Sequence, residues 1–224
     1  MTENDLPIDE VSGVEERPQN RREWSGVLRS LVLPVLIVAA IVGVLVYVDG
    51  LRGGSTPAND GYGIVALPAE KNATGRPVSS DVGRAAPDFL LQTPDGGELR
   101  LSDLRGHPVL VNFWASWCIP CRQEMPEIVR VYGAHRDGGL QIVAVDLQEN
   151  AGQVRGFADE FGMTFPIAID RTGAVASAWR IGGPIKGIPS SYFLDADGIV
   201  RARVFGPLTA QSLSDNLATV GVQP

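Results

Sequence analysis

The chain is short of cysteine, histidine and aromatic side chains: 224 residues hold two Cys, two His and 7% Phe, Trp and Tyr. Two cysteines leave nothing from which a structural disulfide framework could be built. Cys118 and Cys121 are the only thiols and His107 and His135 the only imidazoles, so a zinc or copper centre lacks ligands. Positive charge is also scarce. Nineteen Lys and Arg stand against 26 Asp and Glu, a net charge of -7, and no basic stripe is at hand to neutralise nucleic-acid phosphates. No internal repeat is visible, which excludes solenoids and propellers.

What is present begins with one long uncharged run. Leu31 to Val48 carries no charge, passes through Pro34 and Gly43, and with its flanks is long enough to cross a bilayer. A cleaved signal peptide would have a shorter apolar region and a small-x-small site, whereas Tyr47, Val48 and Asp49 close this one. Residues 27–48 are therefore expected to form an uncleaved transmembrane anchor. Arg17, Arg21, Arg22 and Arg29 precede it and only Arg52 closely follows, which places residues 1–26, a polar disordered tail, in the cytoplasm. Residues 49–83, rich in Gly, Pro, Ser, Asn and Ala, read as a flexible linker. That leaves 84–224 as one domain, enough chain for a proper core and expected to be a monomer.

Inside the domain, strands alternate with helices. Phe89 to Gln92 and Glu98 to Leu101 flank Thr93-Pro94-Asp95-Gly96-Gly97 and read as an added amino-terminal hairpin. Pro108 to Trp114 and Leu140 to Val145 are apolar runs of buried-strand type. Ala151, Val154, Phe157, Ala158 and Phe161 recur at helical spacing behind the cap Asn150. Phe165 to Ile169 is a further short strand and Ala174 to Ile181 a helix. Tyr192 to Leu194 and Ile199 to Val204 form a second hairpin around Asp195-Ala196-Asp197-Gly198, and Leu213, Leu217 and Val220 line a last helix. This order predicts an α/β architecture with a mixed central sheet flanked by helices.

The two thiols sit where a strand meets a helix. After the strand ending at Trp114 comes Trp117-Cys118-Ile119-Pro120-Cys121, then Met125, Ile128, Val129 and Tyr132 at helical spacing to about Gly133, with Pro126 inside. The first helical turn has backbone N–H groups without partners and the positive end of the dipole, so it favours a thiolate. Pro120 fits that turn because its missing N–H is not needed there. Cys118 is thus expected to be the exposed nucleophile with a lowered pKa, and Cys121 the shielded thiol that resolves a mixed disulfide. A disulfide across two intervening residues constrains an unfolded chain too little to be purely structural.

Around this pair the chain resembles the thioredoxin fold, with Gly187-Ile188-Pro189 at the position of that family's cis-proline. It is similar in particular to membrane-anchored thiol-disulfide oxidoreductases of the ResA, TlpA and CcmG kind. The residues that carry this are Ala86-Pro87-Asp88-Phe89, Leu104-Arg105-Gly106, Val111-Asn112-Phe113-Trp114 and Glu124-Met125-Pro126. The resemblance implies that the backbone of Ile188, beside Pro189 and with Trp117, binds an extended substrate segment. It also implies that Glu124 tunes the Cys118-Cys121 redox-active disulfide, since Asn112 stands where thioredoxins carry a buried aspartate. Two departures border the substrate groove: a longer segment Arg180 to Lys186, and Ser190-Ser191 in place of threonines. His107 and His135 are expected in surface loops.

The function implied is extracytoplasmic thiol-disulfide exchange without metal or organic cofactor. Its substrates would be disulfides of exported proteins such as apocytochrome c, and a membrane thiol donor would recharge the pair. A disulfide-introducing oxidase would share these residues. A thiol peroxidase is suggested by Ala86-Pro87-Asp88-Phe89, but Ala115 stands where its Thr-x-x-Cys pattern needs threonine. A copper-binding chaperone would use a longer Cys-Cys spacing and a distant histidine.

Overall fold

In the computed structural model, residues 34–44, 61–181 and 187–223 are described. Residues 34–44 form helix α1, whose apolar side chains are exposed, among them Val35, Leu36, Ile37, Val38 and Ile41. Among the described residues no helix is long and apolar enough to cross a membrane. The rest of the expected anchor, the tail 1–26 and residues 49–60 lie outside the described residues. Helix α1 falls in a separate unit from residues 57–224, which hold every element below.

Among the described residues, eight strands form one mixed sheet. They are β1 (Gly63–Ile64), β2 (Phe89–Gln92), β3 (Glu98–Arg100), β4 (Val109–Trp114), β5 (Gln141–Leu147), β6 (Ile167–Asp170), β7 (Ser190–Leu194) and β8 (Val200–Phe205). The order is β1-β2-β6-β5-β4-β7-β8, with β3 paired to β2. β4, β5 and β6 run parallel, and β7 returns antiparallel to β4. Among the described residues, four α-helices complete the unit: α2 (Ile119–His135), α3 (Ala151–Phe161), α4 (Ala174–Ala178) and α5 (Ala210–Ala218). The amino-terminal hairpin is β2 with β3, and the apolar runs at residues 108–114 and 140–145 are β4 and β5.

Strand alternation sorts the core into two layers. Leu110 and Trp114 of β4 pack with Met125 and Ile128 of α2, Phe157 of α3 and Leu213 of α5. Val109, Val111 and Phe113 face the other side with Phe89, Val175, Trp179 and Tyr192. There the rings interlock: Phe113 lies 5.6 Å from Trp179 and 5.9 Å from Tyr192, and the Tyr192 hydroxyl donates to the Trp179 carbonyl at 2.5 Å. Asn112 falls between Leu110 and Trp114, so it points at α2 from the middle of the sheet.

The linker expected through residue 83 is corrected over residues 61–83, which are part of the domain. β1 pairs with β2, Val65 N–H donates to the Asp88 carbonyl at 3.1 Å, and the Arg100 guanidinium reaches the Ala66 carbonyl at 2.9 Å. Asp81 then accepts from Arg180 at 2.5 Å and Arg203 at 3.0 Å. Composition misleads here because the segment is held by backbone pairing and charged contacts, which need no apolar period. A smaller correction concerns His135, which closes α2 and is not in a loop; His107 is exposed in one.

Candidate functional site

Helix α2 starts on the first cysteine. Cys118 is its N-cap, with extended backbone (φ -80°, ψ 105°), and its Sγ accepts the Cys121 N–H at 3.2 Å. Pro120 occupies the first turn. The turn before it closes through the Cys118 N–H to the Ala115 carbonyl at 3.1 Å. The two cysteines form a disulfide with Cα atoms 5.2 Å apart. Cys118 is 5% exposed and Cys121 0%. The expected order of accessibility therefore holds, but Cys118 is a narrow opening where an exposed side chain was expected. The open surface belongs to its neighbours, since Trp117 is 68% and Ile119 69% exposed.

Sheet register brings Pro189 to the same end. Ser190 pairs with Phe113 and Ser191 with Asn112, so Pro189 lies alongside Trp114, where the chain leaves for Cys118. The Ile188-Pro189 peptide is cis, and Ile188 packs against the cluster that contains Cys118. Ser190 and Ser191 are buried: Ser190 Oγ donates to the Gly187 carbonyl and Ser191 Oγ accepts from Asn112. Residues 182–186 of the longer connection lie outside the described residues.

Glu124 is one turn beyond Cys121 and only 1% exposed. Its carboxyl accepts the Asn112 side-chain amide at 2.8 Å and the Leu208 N–H at 2.7 Å. Burial pushes its pKa up to about 7, against the opposing pull of the bonds from Leu208 and Asn112. Asn112 also reaches Ser191 Oγ at 3.0 Å, while its own Oδ1 is buried without a partner among the described residues. An acid able to gain or lose a proton near neutrality thus lies one helical turn from Cys121.

Reading the residues in order missed a second acidic group at this end. Asp146 is the last residue but one of β5 and Glu149 lies three residues on; both are buried, and Glu149 accepts two hydrogen bonds from Ser116, two residues before Cys118. The available signal was Asp146-x-x-Glu149 directly after an apolar strand that neighbours the active-site strand. Arg122 was also missed. Its guanidinium lies 5.3 and 5.1 Å over the rings of Phe157 and Phe161 and pairs with Glu160. A cavity of about 500 Å³ between Pro94, Arg155 and Met163 contains none of these residues.

The AhpC/TSA family profile matches residues 82–203, over half of the chain and including both cysteines. The chain belongs to the AhpC/TSA family. Within it, similarity runs to the thiol-disulfide oxidoreductase ResA of Geobacillus thermodenitrificans, 38% identical over 139 residues, covering 62% of this chain and 78% of the relative. The ResA of Oceanobacillus iheyensis is 38% identical over 146 residues, covering 63% and 74%. Among solved structures, a thiol:disulfide interchange protein of the thioredoxin family from Chlorobium tepidum superposes with a TM-score of 0.55. It is 30% identical, and the match covers 61% of this chain and 94% of that one. This AhpC/TSA member is accordingly a thiol-disulfide oxidoreductase of ResA type with a thioredoxin fold.

Proposed function

We propose that Cys118 is the attacking thiol and Cys121 the resolving one. The Cys118 thiolate attacks a substrate disulfide, expelling one substrate thiolate and forming a mixed disulfide. Cys121 then attacks Cys118 Sγ, which releases the second substrate thiolate and leaves the pair oxidised. The observation that carries this is the difference between the two sulfurs: Cys118 caps α2 and receives the Cys121 N–H, while Cys121 is wholly buried. Trp117 and Ile119 form an apolar lip for the substrate, and Ile188 beside Pro189 offers backbone to an extended segment. Glu124 takes up or returns the proton of Cys121 from one turn along the helix.

The cellular reading is a reductant of exported proteins, with apocytochrome c as the substrate class. Residues 27–48 anchor the chain, the amino terminus is cytoplasmic, and a membrane thiol donor recharges the pair across the bilayer. The uncharged run, the Arg bias before it and the ResA relatives support this. Measuring the reduction potential of the pair tests the direction. A value near or below about -230 mV fits a reductant, whereas one near about -120 mV would make the protein an oxidase of exported proteins.

A further inference from the structure

One carboxyl group beside the cysteine pair has no task in the exchange just described. Glu149 is 7% exposed, and both of its oxygens are engaged by one residue. Oε2 accepts the Ser116 N–H at 2.6 Å and Oε1 the Ser116 hydroxyl at 2.5 Å. Only a carboxylate presents two acceptors to two such donors; an amide would turn one of its own donors toward them. Burial works to raise the pKa of Glu149, but bonds from Asp146 and Ser116 outweigh it and hold the group below its ordinary value.

The group is braced from below. Its backbone N–H donates to Asp146 Oδ1 at 3.1 Å. Asp146 is 0% exposed and its Oδ2 finds no donor among the described residues; burial, and then the neighbouring Glu149, push its pKa up to about 8. Asp170 of β6 is the other acid acting on Asp146. Gln148, between the two, has φ 62°, a left-handed conformation that non-glycine residues adopt only where surroundings enforce it. That turn swings Glu149 off the end of β5 toward Ser116.

β4 ends at Trp114, so the turn from Ala115 to Cys118 has no ladder to hold it. We infer that Glu149 is a positioning residue for the exchange reaction: its bonds to Ser116 fix the turn that sets Cys118 at the start of α2, and Asp146 holds Glu149 in place to make them. This rests on Cys118 being the attacking thiol.

The test uses the reduced full chain and its second-order rate with a small aromatic disulfide from pH 5 to 10. The plateau at high pH reports the reactivity of the thiolate, free of its ionisation. Glu149→Gln is expected to lower the plateau about tenfold, the size of losing one well-made bond to a charged group. Ser116→Ala keeps the N–H bond and should lose about threefold. Asp146→Ala should approach the Glu149→Gln value, with Asp146→Asn recovering most of the loss. A plateau within about twofold of wild type in Glu149→Gln and Asp146→Ala, even with a lowered Tm, would overturn the inference and leave the pair structural. If Glu149→Gln does not fold, Ser116→Ala decides, and an unchanged plateau there overturns it. Cys118→Ser separates the two claims. If that variant still reacts, the assignment of the attacking thiol falls and this inference with it; if it is inert while the other plateaus are unchanged, this inference falls alone.

Discussion

Glu124 accepts the Asn112 side-chain amide at 2.8 Å, so the active-site helix is tied to the centre of the sheet by a buried acid and a neutral partner. An aspartate at position 112 would set two carboxyl groups against each other. Asparagine instead donates, and the pair can stay buried whether or not Glu124 carries a proton.

The burial has a consequence for stability. Glu124 is pushed up to about 7 from an ordinary 4.5, so between these values the folded state holds more protons than the unfolded one. Its contribution is fully present below about 4.5 and is lost as pH rises through about 7. The urea midpoint of the oxidised protein should therefore fall between pH 5 and pH 8. Glu124→Gln should flatten that slope and be the more stable by about 1–2 kcal/mol at pH 8. Its amide can be met by Asn112 Oδ1, which has no partner among the described residues. Parallel curves for the two proteins would refute the account.

Replacing the resolving thiol should stop the reaction half-way. Cys121→Ser is expected to accumulate a mixed disulfide between Cys118 and a disulfide-bonded protein substrate, visible as an added mass that dithiothreitol removes. Cys118→Ser should trap nothing. The opposite pattern would exchange the two assignments.

Trp117, 68% exposed beside a Cys118 that is only 5% exposed, offers most of the apolar area at the opening. Covering such a side chain is worth about 1.5–3 kcal/mol. Trp117→Ala should lower kcat/KM for a protein disulfide at least about tenfold while leaving reactivity with a small disulfide near wild type. Equal losses on both substrates would mean that Trp117 shapes the reactive turn instead.

The segment at 61–83 should behave as part of the folding unit. A chain starting at Arg84 loses β1, the Arg100 contact with Ala66 and the Asp81 bonds to Arg180 and Arg203. Compared with one starting at Gly61, it is expected to be less stable by about 1–3 kcal/mol in chemical denaturation. Indistinguishable midpoints would restore the reading of this stretch as a tether.

Much of the fold was legible because its signals are local. The cap at Asn150, the apolar runs of β4 and β5 and the Asp-Gly turn before β8 each act within a few residues. The start of the domain was misread because β1 is two residues long and leans on β2, some 25 positions away, where no periodicity reaches. The site divides in the same manner. Cys118 and Cys121 announce themselves by type and spacing, and Glu124 by its place one helical turn on. Glu149 is nearly thirty residues from Cys121, and nothing near it in sequence says that it meets Ser116.

By itself the sequence determined the pair of thiols, their place at the start of a helix, the order of strands and helices around them, and the uncharged run ahead of the domain. These follow from residue type, period and turn chemistry, which act over short distances along the chain. The tertiary structure decided which polar groups are buried and what they touch: Asn112 on Glu124, Glu149 on Ser116, Asp81 on Arg180 and Arg203. Burial raises the pKa of one carboxyl group and brings others within reach of donors far away in sequence, and that depends on the sheet closing, which no local pattern contains.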